Sequence, residues 1–416
     1  MNYKKKILVI SQGYWPEHFP INQLVESFYR DKKIEISVLT GFPNYPEGKI
    51  YKGYEKNFFS KIYDKHSSGY DIFRFPIFRR RKNSKISVIF NYLSFIVMGI
   101  LFSPFLLRKK KFDHILVFAN SPVPQAFIGI FLKFIKKSKL IVWVQDLWPE
   151  SIIAAGGIKN KVVINLISKL TRFIYQHCEK ILVQSRAFIP YILNQNVRKN
   201  KIIYLPNSTE SFYNKVDVKK KFKKLMPNEG PILMFAGNIG EAQGFNTMIK
   251  SALYLNNLGI KVNWVVLGDG RQRELIEKKI NNLGLQKCFF FLGSYPSEEM
   301  PYFFACADAL LVTLKKNLIF SMTIPNKIQS YMACSKPIIA NIDGEGGRVI
   351  LEAKCGLVSP AENYISFSKS IIDFLNLDAY EKELMGKNAR LYFEKEFDRE
   401  KQTNSIINIF NGISNN

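Results

Sequence analysis

The alternation of apolar and polar positions is clearest between Pro231 and Glu274. An apolar run, PILMFAG, ends at Gly237, and the polar loop NIGEAQG and a helical pattern, FNTMIKSALYL, follow it. A second apolar run, VNWVVLG, ends in GDG and leads into a charged helical stretch. Short apolar runs that alternate with amphipathic stretches predict successive strand–loop–helix units. Two such units in a row imply parallel strands with right-handed crossovers.

The same alternation of apolar runs and amphipathic stretches continues through the rest of the chain. It predicts an α/β protein with two Rossmann-like, parallel-sheet domains. The first half has apolar runs at 5–11, 34–40, 113–121, 139–146, 180–185 and 201–208. A polar, lysine-rich stretch then separates the halves, as a linker does. We therefore predict a first domain, a linker, a second domain and a helical C-terminal segment, at residues 1–212, 213–230, 231–385 and 386–416.

Two segments of the first half do not follow this alternation. Residues 41–54 are too rich in Pro, Gly and Tyr for regular structure, and a long loop at a strand end is usually functional. Residues 86–107 carry no charge and lie between RRRK and RKKK. Their length permits a membrane span. Basic residues flank both ends, so the charge asymmetry that orients a membrane span is missing. Pro104 and Asn91 also argue against a span, and a buried or interfacial helix is therefore favoured.

The composition indicates a cytoplasmic protein with an anionic partner. The 416 residues carry 60 Lys and Arg against 34 Asp and Glu, a net charge of +26. Such an excess favours nucleic acid, an acidic membrane or a phosphorylated ligand as partner. The five cysteines form no C-x-x-C pair and no metal spacing, which indicates reduced, mostly buried thiols. The first apolar run is too short for a secretory signal and reads better as a strand.

The second half supplies candidate contacts for a nucleotide diphosphate. The loops after its first two strands lie at the carboxyl edge of the sheet, where open α/β sheets bind ligands. Glycines allow close approach of the backbone, and helix N-termini favour anions. The spacing G-x-x-G-x-x-x-G differs from the dinucleotide-binding fingerprint G-x-G-x-x-G, which argues against a dehydrogenase. Lys327 follows Pro325 near a predicted helix start and can meet phosphate, or can be solvated. Glu345, in GEGG, can accept two ribose hydroxyls or be solvated.

The first half supplies fewer candidates. Asp146 ends a strand in QDLWPES, where it can position a hydroxyl, take a proton or cap a helix. Trp148 can wall a sugar or belong to the core. His18 stands alone in its loop, and a lone histidine is more often structural. The sequence has no H-x-x-x-H, no D-x-D, no G-x-S-x-G and no P-loop, so a bound metal is not indicated.

Six segments, in order, carry a resemblance that covers nearly the whole chain: LTGFPNYPEGKIYKGY, QDLWPES, FAGNIGEAQG, LGDG, FLGSYPSEEMPYFFACADALL and IPNKIQSYMACSKPIIA. The chain resembles a retaining GT-B glycosyltransferase of family 4, and within it the WbuB-like transferases of bacterial O-antigen and capsule assembly. The resemblance implies two Rossmann-like domains that face each other across a cleft. It also implies a C-terminal helix that crosses back to the first domain.

The strand ends and loops of this sequence supply the predicted site residues. We predict Asp146 and Lys327 as catalytic groups, with no cofactor besides the nucleotide-sugar substrate. The predicted nucleotide-sugar contacts are Gly237, Asn238, Gly240, Gln243, Gly268, Asp269, Gly270, Tyr295, Asn326, Lys327, Ser330 and Glu345. The predicted acceptor contacts are Tyr14, His18, Asn44, Tyr45, Gln145, Trp148 and Glu150.

This sequence departs from the family pattern at the donor site. The Arg and Lys that usually hold the diphosphate stand here as Asn238 and Gln243. The usual E-x7-E pair falls at Met322 and Ser330, and a histidine often stands near the position of Gln145. We therefore expect phosphate and sugar contacts that differ from those of the family.

The resemblance predicts transfer of a sugar, such as N-acetyl-L-fucosamine, from a UDP-linked donor to a lipid-linked saccharide. We expect a peripheral protein at the inner face of the cytoplasmic membrane, bound to anionic lipid through residues 74–111 and not to nucleic acid. One alternative is a non-hydrolysing UDP-sugar 2-epimerase, although only four histidines are present. A second is a basic nucleic-acid-binding protein, although no recognition motif appears.

Overall fold

The computed structural model describes residues 4–45, 48–49, 51–54, 62–81, 84–154 and 160–412. The chain divides into two compact units. The first contains residues 1–206 and 400–416, and the second contains residues 207–399. Both are α/β units built on parallel sheets, as the sequence predicts.

The described residues of the first unit form an eight-stranded sheet in the order β3-β4-β2-β1-β5-β6-β7-β8. Every neighbouring pair is parallel except β3 with β4. Its central strands are continuous apolar runs because helices cover both faces of a parallel sheet. The chain order reverses between β1 and β5, which makes their carboxyl ends a switch point for ligand binding. The strands are β1 Lys5–Ile10, β2 Ile34–Gly41, β3 Tyr63–Lys65, β4 Asp71–Phe75, β5 His114–Ala119, β6 Lys139–Val144, β7 Lys180–Val183 and β8 Ile202–Tyr204.

Helices join these strands. The first begins at Pro20, where the fixed φ of proline suits the first turn. The fifth is capped by the Asn160 side chain, which accepts the backbone N–H of Val162 at 2.9 Å. Up to residue 206, the described α-helices of this unit are α1 Pro20–Arg30, α2 Lys85–Leu106, α3 Ala126–Lys136, α4 Glu150–Ala154, α5 Lys161–His177 and α6 Phe188–Leu193.

Helix α2 presents its apolar side chains outward. Every fourth residue is buried: Ser87, Asn91, Phe95, Gly99 and Ser103. All of these five except Phe95 are small or polar. The opposite face is exposed and consists of large apolar side chains: Ile86, Ile89, Phe90, Leu93, Val97, Leu101 and Phe105. A helix on the surface of a soluble protein normally has the reverse arrangement.

The same helix is long and apolar enough to cross a membrane. Residues 86–106 have a mean hydropathy of 2.0, and they form the one such helix in the described part of the chain. The helix nevertheless lies against its own unit. A side chain at Gly99 would meet Ile128 of α3 and Phe75 of β4, and the ring centroids of Phe75 and Phe95 are 5.0 Å apart.

The described residues of the second unit form a six-stranded parallel sheet in the order β11-β10-β9-β12-β13-β14. The reversal of chain order lies between β9 and β12. The four inner strands are almost wholly buried, and the edge strands β11 and β14 are mostly half-buried. The strands are β9 Ile232–Ala236, β10 Asn263–Leu267, β11 Phe289–Gly293, β12 Ala309–Thr313, β13 Ile338–Asn341 and β14 Gly356–Ser359.

The remaining helices follow the same alternation. Ten further helices occur in the described residues: α7 Lys220–Lys223, α8 Phe245–Asn257, α9 Arg273–Asn282, α10 Met300–Ala305, α11 Leu318–Met322, α12 Asn326–Ala333, α13 Glu345–Glu352, α14 Tyr364–Asn376, α15 Ala379–Tyr392 and α16 Arg399–Phe410. A π-helical turn, Phe393–Phe397, joins the last two.

The unit boundaries differ from the predicted domain boundaries. The second unit begins at Asn207, inside the segment predicted to complete the first domain. The predicted linker contains α7, whose Phe222 packs in the core of the second unit. Residues 386–399 also belong to that unit, and the chain rejoins the first unit at Glu400. Ile406 and Phe410 are buried in the first unit's core.

Candidate active site

The two glycine-bearing loops of the second unit lie side by side at the carboxyl edge of the sheet. Gly237 donates its N–H to Leu267 at 2.9 Å, and Ile239 donates to the carbonyl of Asp269 at 2.8 Å. Gln272 donates in return to the carbonyl of Ile239 at 3.1 Å. These backbone bonds fix the two loops relative to each other, so together they form one rigid surface.

Glycine is required at the closest approach of these loops. Gly268 has φ +126°, and a Cβ there would lie 2.0 Å from the carbonyl oxygen of Gly237. Gly237 has φ +138°, and a Cβ there would lie 2.8 Å from Cε of Lys327. Both the backbone conformation and the available space therefore exclude larger residues. Gly240 and Gly270 flank Asn238, whose side-chain atoms lie 2.6 and 2.7 Å from the positions of their Cβ atoms.

Lys327 lies over the first loop, in the second residue of α12. Its Nζ donates to Oε1 of Gln243 at 2.5 Å and stands 3.6 Å from the centre of the Phe235 ring. Burial lowers the pKa of Lys327 well below its usual range. Among the described residues, no carboxylate forms an ion pair with it. The ammonium group therefore has one neutral hydrogen-bond acceptor and one aromatic face for its charge.

Lys327 is partly buried, and a cation withdrawn from water without a counter-ion is unfavourable by itself. It becomes favourable when an anion binds beside it, because the pair then shares a site of low dielectric. The backbone N–H groups of a glycine-bearing loop add donors for such an anion. The predicted roles of Gly237, Gln243 and Lys327 thus fall in one place. The backbone of Gln243 is held in place as well, since Thr313 Oγ1 donates to its main-chain carbonyl at 2.5 Å.

Four predicted donor-site residues of this unit have no side-chain bond to Lys327. Asn238 and Asp269 are exposed on the two loops, and Asp269 Oδ1 accepts the N–H of Gly270 at 2.8 Å. Asn326 is exposed at the first position of α12. Tyr295 follows β11, and its ring packs at a tilt of 55° against that of Phe303, with the centroids 4.5 Å apart.

Two other predicted contacts are already engaged within the unit. Ser330 is buried, donates to the carbonyl of Asn326 at 3.1 Å and shares a hydrogen bond with Thr209. Glu345 opens α13 and is buried against Arg348, whose Nη2 and Nε lie 2.9 and 3.0 Å from its two oxygens. Each oxygen keeps a further lone pair, so the ribose contact of Glu345 stays a prediction. Sequence reasoning missed this ion pair, although the spacing of three residues on one helix is the signal for it.

The first unit has its own polar pocket at the carboxyl ends of β1, β2 and β5. Its volume is about 250 Å³. Two predicted acceptor contacts line it, Asn44 and Tyr45. The other lining residues were not predicted: Gln12, Gly13, Glu17, Phe19, Arg80, Asn91, Tyr92, Asn120 and Ser121.

Glu17 organises one side of this pocket. It is buried, and its Oε1 accepts the backbone N–H groups of Asn44 and Tyr45, each at 2.6 Å. Burial raises the pKa of Glu17, and those two N–H groups oppose the rise. Its position in YWPEHFP was available in the sequence, but nothing in one sequence distinguishes it from the neighbouring His18.

Asp146 lies behind the same edge, at the end of β6. Ser151 donates a hydrogen bond to its carboxylate, and Ser121 also bonds it. Burial raises the pKa of Asp146, and these hydrogen bonds oppose the rise. Ser121 also lines the pocket, so Asp146 bonds a residue of the pocket wall without lining the pocket itself. The carboxylate binds side chains here and does not cap α4 in the usual way, since that helix begins four residues later.

The remaining predicted acceptor contacts are dispersed. The main-chain carbonyl of Gln145 accepts a hydrogen bond from Gln184 Nε2 at 2.5 Å. Trp148 and Glu150 are half-buried in the turn after β6, and burial raises the pKa of Glu150. His18 is exposed. The prediction for Tyr14 is not supported, because its side chain is 1% exposed and its hydroxyl bonds that of Tyr70 at 2.6 Å.

No metal site emerges from the described residues: nowhere among them do three His, Cys, Asp or Glu side chains come together as a metal site requires. The five cysteines are unpaired thiols, and four of them are buried.

Comparison with known proteins decides what kind of domain holds the Lys327 site. Residues 217–392, nearly all of the second unit, match the family model described as glycosyl transferases group 1. The second unit carries a glycosyltransferase domain. Its glycine-bearing loops and Lys327 lie inside the matched region.

Two relatives extend the likeness beyond that domain. A protein of Escherichia coli K12 named as a colanic acid biosynthesis glycosyl transferase, WcaI, is 23% identical, and the alignment covers 98% of this chain and 100% of WcaI. WbjE of Pseudomonas aeruginosa, also named as a glycosyltransferase, is 24% identical over 74% of this chain and 76% of WbjE.

A solved structure confirms the fold. Anabaena HepE, determined in complex with UDP, superposes with a TM-score of 0.72 at 15% identity and covers 98% of this chain and 100% of HepE. The chain has the GT-B fold that its sequence predicts.

Proposed function

We propose that this protein transfers a sugar from a UDP-linked donor to a lipid-linked saccharide in the assembly of a bacterial surface polysaccharide. The observation that carries the proposal is Lys327, a partly buried ammonium group over a glycine-bearing loop with no carboxylate partner among the described residues. The family of the second unit supports sugar transfer, and the UDP in HepE supports the choice of nucleotide. The name of WcaI supports the polysaccharide context.

Charge explains what Lys327 would do in this reaction. A nucleotide diphosphate gains negative charge as its bond to the sugar breaks, and stabilising that charge is usually the largest catalytic contribution. Lys327 Nζ and the N–H groups of the loop that follows β9 form a fixed cationic and polar surface. No metal is needed in this proposal, because the lysine and the loop supply the stabilisation that a cation would otherwise give.

We further propose that the sugar keeps its anomeric configuration and is an N-acetylated deoxysugar such as N-acetyl-L-fucosamine. Both features rest on the resemblance to WbuB-like transferases. The first unit would bind the acceptor. Asp146 would position the acceptor hydroxyl or take its proton, since Asp146 bonds Ser121 in the wall of the pocket.

The exposed face of α2 supports a peripheral position at the inner membrane surface. Its large apolar side chains point away from the unit, while its small and polar residues point inward. An outer face of this kind is stabilised in the acyl region of a bilayer. Basic residues at both ends of the helix, among 79–81 and 108–111, would meet anionic headgroups.

Ligand binding followed by product analysis tests the proposal. The full-length protein is titrated with UDP, uridine and GDP while its thermal unfolding is followed. UDP should raise the melting temperature more than uridine or GDP does. Radiolabelled UDP-sugars are then supplied with bacterial lipid extract, and label should move to the lipid fraction. If a donor alone is inverted at C2, the protein is an epimerase. Salt-sensitive binding to generic DNA, unaffected by UDP, would favour a nucleic-acid-binding protein.

A further inference from the structure

The pocket of the first unit lies at the head of α2, next to its exposed apolar face. Asn91 and Tyr92 belong to this helix and line the pocket, whereas Phe90 beside them is exposed on the outer face. The segment before the helix runs along the same turns. The Phe78 ring lies 5.7 Å from that of Phe90, and the Phe78 carbonyl accepts Asn91 Nδ2 at 2.5 Å. A ligand in this pocket can therefore extend directly onto the apolar face.

Arg80 is the cation of this pocket. Its guanidinium stands between two aromatic rings, 5.2 Å from the centre of Tyr45 and 5.1 Å from that of Tyr92. Its Nε donates to Asn91 Oδ1 at 3.1 Å. Within the described residues, its two terminal nitrogens have no hydrogen-bond partner, and no carboxylate forms an ion pair with it. A planar guanidinium held by its Nε and by two rings offers a fixed pair of donors, which suits phosphate.

The other side of the pocket offers hydrogen-bond acceptors. Gln12 is 9% exposed, its Nε2 donates to Asn91 Oδ1 at 2.7 Å, and its buried Oε1 has no partner. Glu17 adds a carboxylate whose Oε1 is already held by backbone N–H groups. A buried acceptor without a partner costs free energy unless a ligand supplies a donor. Sugar hydroxyls are such donors, so acceptors and cation divide the pocket into a sugar side and a phosphate side.

We propose that this pocket binds the sugar phosphate end of the acceptor lipid, with the phosphate on Arg80 and the lipid chain along α2. The inference rests on the proposed function, and it names the chemical class of the acceptor: a lipid that carries phosphate or diphosphate next to its first sugar. A volume of about 250 Å³ holds a headgroup rather than an entire oligosaccharide. Asn91 bonds both Gln12 and Arg80, so the helix that faces lipid also holds the two halves of the pocket in place.

The test measures binding of farnesyl phosphate, a soluble lipid phosphate, to the full-length protein by isothermal titration calorimetry. Arg80→Gln is compared with Arg79→Gln, because the two substitutions remove the same charge from neighbouring residues and Arg79 is exposed outside the pocket lining. We expect Arg80→Gln to weaken binding at least about tenfold, and Arg79→Gln to change it by less than about twofold. Arg80→Lys, which keeps the charge but loses the planar pair of donors, should lie between them.

Three outcomes would overturn the proposal. Equal losses in Arg79→Gln and Arg80→Gln would mean that general surface charge attracts the phosphate. Equal binding of farnesol and farnesyl phosphate would mean that only the apolar face is used. Binding of inorganic phosphate as tight as that of farnesyl phosphate would point to a free anion rather than a lipid.

A separate measurement keeps this proposal distinct from the proposed function. UDP should stabilise the Arg80→Gln variant as much as the wild type, because Arg80 lies in the other unit from Lys327. If UDP stabilises neither protein while farnesyl phosphate still depends on Arg80, the donor assignment fails and the phosphate pocket stands.

Discussion

Lys327 shows, at the scale of single residues, how the surroundings of a side chain decide its chemistry. Its sequence context, after a proline and near a helix start, suggested a phosphate contact and also allowed a solvated lysine. The structure adds the Phe235 ring, the Gln243 amide and the lack of an acidic partner among the described residues. None of these is visible in the local sequence, because Phe235 and Gln243 come from 84 to 92 positions earlier in the chain.

We predict that Lys327→Met lowers turnover on the order of a hundredfold, since loss of one charged transition-state contact typically costs about 2–4 kcal/mol. UDP binding should weaken more than uridine binding, because only UDP carries the diphosphate. Calorimetric titration with both ligands measures the difference. Lys278→Met, which removes the same charge from the exposed face of α9, should change neither. Equal weakening of UDP and uridine would exclude the phosphate role.

The lowered pKa of Lys327 makes this binding depend on pH. Only the protonated side chain holds a diphosphate, and burial causes it to lose its proton at a lower pH than an exposed lysine does. UDP affinity should therefore fall as pH rises through that lowered pKa, while uridine affinity stays constant. A bound diphosphate favours the charged form and raises the pKa again, so UDP binding should take up protons in this range. Lys327→Met should lose the pH dependence together with the proton uptake.

For Asp146, a catalytic role can be distinguished by experiment from a purely structural role. We predict that Asp146→Asn strongly lowers kcat and leaves UDP affinity unchanged, because Asp146 belongs to the first unit and the nucleotide loops to the second. Ser151→Ala is the matched control, since it removes the hydrogen bond of the turn but keeps the carboxylate. A purely structural role would make both variants lose melting temperature to a similar extent and keep kcat.

Two predicted contacts have a bonding partner that the sequence did not indicate, and the physical reason is the same for both. Tyr14 and Glu345 have the right chemistry in suitable loops, yet each meets a partner inside its own unit, Tyr70 or Arg348. A sequence pattern identifies the loop at a strand end but not which side chain of that loop turns inward. Arg80 was missed for the converse reason: in the run RRRK nothing distinguishes the one arginine that lies between two tyrosine rings.

At the scale of elements, α2 was the most informative stretch in the sequence and the most ambiguous. Its length and lack of charge predicted an apolar helix, but they could not show which face it buries. The periodicity of four in Ser87, Asn91, Gly99 and Ser103 was present in the sequence. This periodicity does not identify the buried face from sequence, because small and polar residues form that face, the reverse of the usual pattern.

We predict that Leu93→Ser with Leu101→Ser releases the protein from anionic vesicles without lowering its melting temperature, since both side chains are exposed. Co-sedimentation with vesicles measures the binding. Phe95→Ser is the matched control on the buried face. It should lower the melting temperature, because truncating a buried Phe typically costs about 3–5 kcal/mol.

Salt separates a peripheral helix from a spanning one. Each basic residue near an anionic surface contributes about 1 kcal/mol, and this contribution is screened at high ionic strength. High salt should therefore release much of the wild-type protein from the vesicles. Release by detergent alone would mean that residues 86–106 cross the bilayer.

At the scale of the whole molecule, the sequence predicted both sheets and their parallel strands but not where each unit ends. Alternating apolar runs identify strands well, because buried parallel strands need continuous apolar sequence. Boundaries depend on packing instead. The predicted linker was polar enough to be one, yet Phe222 within it packs against Phe303 with ring centroids 4.8 Å apart. The described strands β3 and β4 were also missed, because their short run lies next to the basic segment.

The return of the chain to the first unit gives the last prediction. Phe410, near the end of α16, is 2% exposed, and its ring lies 5.9 Å from that of Phe28 in α1 and 5.2 Å from that of His114 in β5. Helix α16 thus completes a core that begins with β1, although nearly 200 residues of the other unit intervene in the sequence. Phe410→Ala should lower the free energy of unfolding of the first unit by about 3–5 kcal/mol.

Hydrogen exchange followed by mass spectrometry measures this effect, because it reports on each unit separately. In Phe410→Ala, exchange should accelerate in β1 and β5 and stay unchanged in β9 and β10, because only the first two strands share a core with Phe410. Phe105→Ala is the matched control, since the same side chain is removed from an α2 position that is 79% exposed. It should change exchange in neither unit, as surface substitutions usually stay within about 0.5 kcal/mol. Acceleration in both units to the same extent would mean that the two units unfold as one, and no acceleration would mean that α16 is not part of the first core.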